Sequence, residues 1–183
     1  MFLDKFKKSP QDKILYLLSL VGFIIVLLVE ILIFIPAETA VSTYGILDYE
    51  FAWSIDQVVS IFVEWGASGI LIQINAIYWD FLFIIGYVSL AFSLILLVYH
   101  RSGETVQFYG TYIPLTPLLT GVFDIIENIL LLSIGNSITS VPDYFPLLAS
   151  LSATIKFGLL FVGIIYFAIS LLILIINKLR KYK

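Results

Sequence analysis

Cysteine is absent from this 183-residue chain, histidine and methionine occur once each, and charged residues make up only 13%. Without thiols there is no disulfide framework and no thiolate metal site. The single histidine, His100, sits beside Arg101 at the edge of an apolar run and reads as an interfacial flank, not a catalytic base. A zinc site would have to be built from carboxylates alone, which suit harder cations better. HExxH, a P-loop, GxGxxG and GxSxG are all missing. The net charge of -3 offers no basic surface to a nucleic acid. No cofactor, no metal ligand and no catalytic residue is therefore assigned, and nucleic acid is excluded as a partner. What the chain has in excess is apolar sequence: 61% of it is hydrophobic, against about 45–50% in a soluble domain. It reads as an integral membrane protein.

A helix needs roughly 20 apolar residues to cross about 30 Å of hydrocarbon. Four runs reach that length, at residues 14–35, 78–99, 112–134 and 147–176. They predict one all-α membrane domain over residues 1–183, a four-helix bundle with one long outer connection at 36–77. Basic residues give the orientation, because cytoplasmic flanks are enriched in them. Nine of the ten, Lys5, Lys7, Lys8, Lys13, Arg101, Lys178, Arg180, Lys181 and Lys183, fall on one side. The other side has none and carries Glu38, Asp48, Glu50, Asp56, Glu64 and Asp143. Both termini are expected in the cytoplasm, with the plasma membrane as the location. The first run exceeds the about 7–15 apolar residues of a signal peptide, and Ile35 and Glu38 stand where cleavage needs small residues, so it is expected to stay as an anchor. Pro114 and Pro117 fall at the start of the third run, where proline is tolerated.

The outer segment is aromatic, with Tyr44, Tyr49, Phe51, Trp53, Phe62, Trp65, Tyr78 and Trp79, side chains that favour the headgroup level. Ser54 followed by Gln57 has the form of a capping box and predicts a helix from Ile55. Gly66 to Gly69 reads as its stop. A short interfacial helix over the outer mouth of the bundle is expected, and a plain packing segment is the alternative.

Five charges remain inside the apolar runs: Glu30, Asp80, Asp124, Glu127 and Lys156. Each costs roughly 2.5–3.5 kcal/mol on insertion scales. At 1.5 Å per residue, all five fall in the outer half, with Asp124 nearest the midplane. Thr120, Gly121, Asp124, Glu127 and Asn128 share one helical stripe, Asp80 and Tyr87 lie seven apart, and Ser152, Lys156, Gly163 and Ser170 form a polar and small-residue stripe. Turned inward, the stripes would enclose a polar cavity. Lys156 balances one carboxylate at most, so protons or a cationic ligand must make up the rest. A buried network that only fixes helix register is the competing reading.

The strings Leu47-Asp48-Tyr49-Glu50-Phe51-Ala52-Trp53-Ser54, Asp80-Phe81-Leu82-Phe83 with Tyr87, and Phe123-Asp124-Ile125-Ile126-Glu127-Asn128 resemble those of a group of small four-helix prokaryotic membrane proteins without an assigned function. That resemblance implies only that Asp80, Asp124, Glu127 and Asn128 form a shared motif. The layout is also similar, in architecture alone, to the sigma-2 receptor and sterol isomerase superfamily, whose acids line a ligand pocket; Glu30 and Asp80 fall near such positions.

The functional expectation is a non-enzymatic protein that binds a small cation, a proton or an amphipathic lipid-like ligand, in transport or sensing. Asp124 and Glu127 would carry charge, Asn128 and Tyr87 would hydrogen-bond, Lys156 would be the counter-ion, and Asp80 and Glu30 would complete the site. Membrane lipids are the expected partners, with a homo-oligomer or a larger membrane complex also open. A structural subunit, or a lipid isomerase or hydrolase using the two acids, are the alternatives.

Overall fold

Long apolar sequence with few breakers gives long helices, and the interruptions fall at glycine and proline. The computed structural model describes residues 9–180; Lys5, Lys7, Lys8, Lys181 and Lys183, which weigh in the orientation argument, lie outside them. Within that range the elements are helical, with no strand. They are α1 (Asp12–Thr39), α2 (Ile46–Glu50), α3 (Ile55–Arg101), α4 (Glu104–Tyr109), α5 (Thr116–Asn136) and α6 (Phe145–Arg180). A short 3-10 turn, Ile113–Leu115, leads into α5 and holds Pro114, while Pro117 sits in the first turn of α5 itself. Four of these helices are long and apolar enough to cross a membrane. The protein is an all-α helical bundle of the integral membrane type.

α3 is the centre of the bundle. α1 packs along one side of it, α5 and α6 pack on the other, and α5 and α6 pack closely on each other. α1 makes no substantial contact with α5 or α6. Its sequence shows why: Leu15, Gly22 and Val29, each seven residues on, are the buried positions of its first five turns. That is a single narrow seam, the geometry of a two-helix contact. The remaining Leu, Ile and Phe side chains face outward, as lipid-facing residues do. The seam closes tightest where two glycines meet, since a Cβ on Gly22 would stand 2.5 Å from the Gly86 carbonyl oxygen. Small residues let helix backbones approach this closely in lipid, where packing replaces the hydrophobic drive. Further along, Pro36 removes a backbone donor and α1 widens into a π-helical turn at Glu30–Phe34.

The outer helix starts where the capping pair places it: Ser54 Oγ accepts from the Gln57 backbone N–H at 3.3 Å. Gly66, with φ of +61°, breaks it. The helix then resumes at once, so residues 67–77 extend the second spanning helix and not the outer loop. The apolar count put that start at 78 because Gln73 and Asn75 interrupt the run. Gly69, Gln73, Ala76 and Ile77 are buried against protein, where hydropathy is no measure of depth.

The segment before this helix folds back over the bundle mouth. Tyr49, Ala52, Val58, Ile61 and Trp65 form a core with Ile77 of α3, Leu131 and Ile134 of α5 and Ala149 of α6. Tyr49 donates a buried hydrogen bond to the Leu131 carbonyl at 2.7 Å, and Trp65 Nε1 donates to the Tyr44 carbonyl at 2.6 Å. Several outer acids serve this folding: Asp48 accepts from the Gly45 N–H and Glu64 from the Thr43 hydroxyl. At the opposite end, Asp12 of α1 pairs with His100 and Arg101 of α3 at 2.9 Å and 3.3 Å, and Arg101 also reaches the Tyr16 hydroxyl. His100 is thus part of the α1–α3 closure.

A β-branched side chain at the glycine crossing tests the seam. Gly22→Val should lower the thermal midpoint of the protein in detergent by an amount corresponding to about 1–3 kcal/mol. An unchanged midpoint would show that α1 is not held there.

Candidate functional site

The site begins on α5, whose stripe behaves as its spacing predicts. Thr120, Gly121, Asp124, Glu127, Asn128 and Leu131 are all buried. On α6, Ser152, Lys156, Gly163 and Ser170 are buried in the same way. The two stripes meet at Lys156. Its Nζ donates to Asp124 Oδ1 at 2.9 Å, lies 2.8 Å from Glu127 Oε2, and lies 3.3 Å from Glu50 Oε2. Tyr87 Oη donates to the other Asp124 oxygen at 2.8 Å, so both oxygens of that carboxylate have partners. Beside them Asn128 Nδ2 donates to Asp80 Oδ2 at 2.6 Å. Asp80, Tyr87, Asp124, Glu127, Asn128 and Lys156 therefore converge.

Glu30 does not join them. It stands on the π-helical turn of α1, on the facing wall, and no ion pair or hydrogen bond links it to the others. Two further residues do contribute. Glu50, counted by sequence among the outer acids, reaches down from the end of α2 to Lys156. Gln73 is buried and donates to the Ala37 carbonyl of α1 at 2.8 Å. The sequence carries a signal for Glu50, since it lies in the aromatic string before Ser54; only the fold shows that the string turns inward.

Glu50 is set in place by a backbone clamp. Ser150 Oγ of α6 donates to the Glu50 carbonyl at 2.8 Å and accepts from the Trp53 N–H at 3.0 Å. Trp53 adopts φ of +51°, a left-handed conformation that a bulky residue takes only under constraint. Burial pushes the Glu50 carboxyl above its ordinary value, with the Lys156 ammonium opposing and the Asp124 charge adding to the rise. Glu127 lies behind it, fully buried, with Lys156 Nζ 2.8 Å from its Oε2.

Next to this network is a cavity of about 660 Å³. Glu30, Phe34 and Glu38 of α1 line one wall; Asp80, Tyr87, Asp124, Asn128 and Lys156 line the other; Leu47 and Glu50 of α2 close the outer end. Phe83, Phe157 and Leu160 supply apolar surface. Glu127 does not line it and sits behind Lys156, fully buried. α1 and α6 both border the cavity without substantial packing on each other. Among the described residues no group of three or more histidine, aspartate or glutamate side chains is placed to hold a metal ion. The carboxylates converge instead on an ammonium the chain supplies itself.

The hydrogen-bond inventory gives the cavity its chemical character. The hydroxyls of Tyr87 and Thr120, the Lys156 ammonium and one amide hydrogen each of Gln73 and Asn128 are already committed inside the protein. What is offered to a visitor is mainly acceptor oxygen and negative charge. Comparison with protein-family models, curated proteins and solved structures returns no match, and nothing in it bears on the two resemblances.

Two outcomes test the network. Lys156→Met leaves three carboxylates around an apolar side chain and should cost about 3–5 kcal/mol, read as a large drop in thermal midpoint or loss of folded protein; a neutral result would show that the ion pairs are not formed. Because the native Glu50 holds its proton more tightly than the unfolded chain does, its contribution to stability is greatest below the ordinary carboxylate value of 4.5 and falls as pH rises above it. Glu50→Gln, which cannot ionise, should flatten the decline in midpoint between mildly acidic and mildly alkaline buffer.

Proposed function

We propose that this protein binds a small amphiphile with a cationic, hydrogen-bond-donating head in the cavity between α1 and the α3–α5–α6 core, as a membrane sensor or carrier of that ligand. The observation that carries the reading is Asp80. Of the four carboxyls on the core side of the site, Glu50, Asp124 and Glu127 lie against Lys156, whereas Asp80 has only the amide of Asn128 as its partner. A carboxyl that faces a cavity within a spanning helix is costly to ionise. A ligand ammonium would offset that cost, and Glu30 on the facing wall adds to the attraction. Anionic heads meet the opposite: carboxylates on both walls and few uncommitted donors. Asp80 is the anchor in this reading, while Asp124, Glu127 and Lys156 hold the wall in shape.

The apolar surfaces of Phe34, Phe83, Phe157 and Leu160 suit the remainder of an amphiphile, and the ligand would enter from lipid between α1 and α6, which make no substantial contact with each other. The lysine and arginine bias supports termini on the cytoplasmic side of the plasma membrane, which puts the cavity in the outer half.

Octylamine and octanoate share a chain and differ in head charge, so they test the proposal directly. Octylamine should raise the thermal midpoint of the purified protein and octanoate should not. Asp80→Asn should retain the unliganded midpoint within about 1 kcal/mol of stability, since a single hydrogen bond is altered, and should lose most of the octylamine response. An equal response from the variant would refute the anchor.

A further inference from the structure

Directly below the acid-lined cavity lies a second, of about 230 Å³. Leu90, Ala91 and Leu94 of α3, Pro117 of α5, and Gly163 and Phe167 of α6 line it, and no charged side chain does. The two cavities share walls: Tyr87 and Leu160 border both. They therefore adjoin at these two side chains, acid-lined on one side and apolar on the other.

The two linings follow one another along α3. From Asp80, where the proposed head sits, to Ile95, the lower limit of the second lining on α3, the helix rises about 22 Å at 1.5 Å per residue. That is roughly two-thirds of the hydrocarbon thickness. α1 lines the upper cavity and not the lower one, so the lower part is a narrow slot between three helices. An empty apolar slot of this kind forgoes the dispersion contacts that fill most protein interiors.

We infer that the ligand is a long-chain amine, whose head sits at Asp80 and whose single hydrocarbon chain descends past Tyr87 and Leu160 into the slot lined by Ala91, Leu94, Gly163 and Phe167. The inference rests on the amine reading of the upper cavity and adds the identity of the tail and its path. The lower cavity holds about 230 Å³ against about 660 Å³ above it, room for a single hydrocarbon chain below the head. With the outer-half placement argued above, the ligand has the orientation of an outer-leaflet lipid, head outward and tail toward the midplane, and it enters through the gap between α1 and α6 without turning over. Ala91 and Gly163 act as the positions that keep the slot open.

A dodecylamine carrying a diazirine at the chain end reports the tail position. On irradiation, adducts mapped by mass spectrometry should fall on α3 residues 90–95 and α6 residues 163–167, and Asp80→Asn should reduce them at least tenfold. Ala91→Phe fills the slot and should lose the adducts while keeping the midpoint shift given by butylamine, which is too short to enter it; Ala91→Leu serves where the bulkier variant does not fold. Adducts confined to lipid-facing side chains of α1, or undiminished in the Ala91 variants, overturn the tail path and leave the head site standing. Absence of any butylamine response in the wild type, with adducts insensitive to Asp80→Asn, overturns both.

Discussion

One ammonium within hydrogen-bonding or ion-pair distance of three carboxylates, inside a bundle of spanning helices, is the constraint around which this structure is arranged. Lipid supplies no water to solvate Lys156, and a charge in that setting is tolerated only when its partners are delivered to it. Asp124 and Glu127 come from α5 at a spacing of three, which puts them on one face. Glu50 comes from the outer segment, and to reach Lys156 that segment must fold into the mouth of the bundle. The Tyr49 hydrogen bond to Leu131 and the Ser150 clamp on Glu50 and Trp53 hold it there. The left-handed Trp53 is the local cost of that turn. The outer segment is thus bound to the membrane helices by electrostatics as well as by its aromatic core.

The same arrangement separates two duties among residues that look alike in sequence. Asp124 has both oxygens occupied, one by Lys156 and one by Tyr87, and Glu127 is enclosed behind them. Their role is to complete a wall. Asp80, one helix away, lines the cavity, and among the described residues Asn128 is its hydrogen-bond partner. α1 contributes the opposite wall while packing mainly on α3, through a seam one residue wide per two turns. A wall attached along one edge is the part of this bundle that can move with least loss of packing, and its π-helical turn lies where the cavity begins.

Much of this was legible in the sequence because lipid makes the rules simple. Few charges, no cysteine and four apolar runs give the helices; the stripes Thr120 to Asn128 and Ser152 to Ser170 give the faces that meet. What the pattern could not reveal has a common physical cause. Glu50 and Gln73 lie where the chain is buried by protein and not by lipid, so their hydropathy says nothing of their depth. Residues 67–77 were hidden for the same reason. Glu30 was grouped with the other acids by depth alone, and depth does not say which neighbour a helix faces; α1 turns that side chain to the far wall of the cavity. The close pairing of α1 with α3 depends on Gly22 and Gly86, a seam that hydropathy does not rank.

Tyr87 links the two duties. Its hydroxyl is spent on Asp124, its ring stands between the acid-lined cavity and the apolar slot, and its neighbour Phe83 packs against Phe34 of α1. A side chain held at its tip by a hydrogen bond to a carboxyl cannot swing freely, so the ring at the boundary of the two cavities keeps its place. Lys156 holds the other oxygen of the same carboxyl, so the ion pair and the ring position belong to one connected network. The buried ion pairs therefore do more than keep helices in register: they also set where the ring between the two cavities stands.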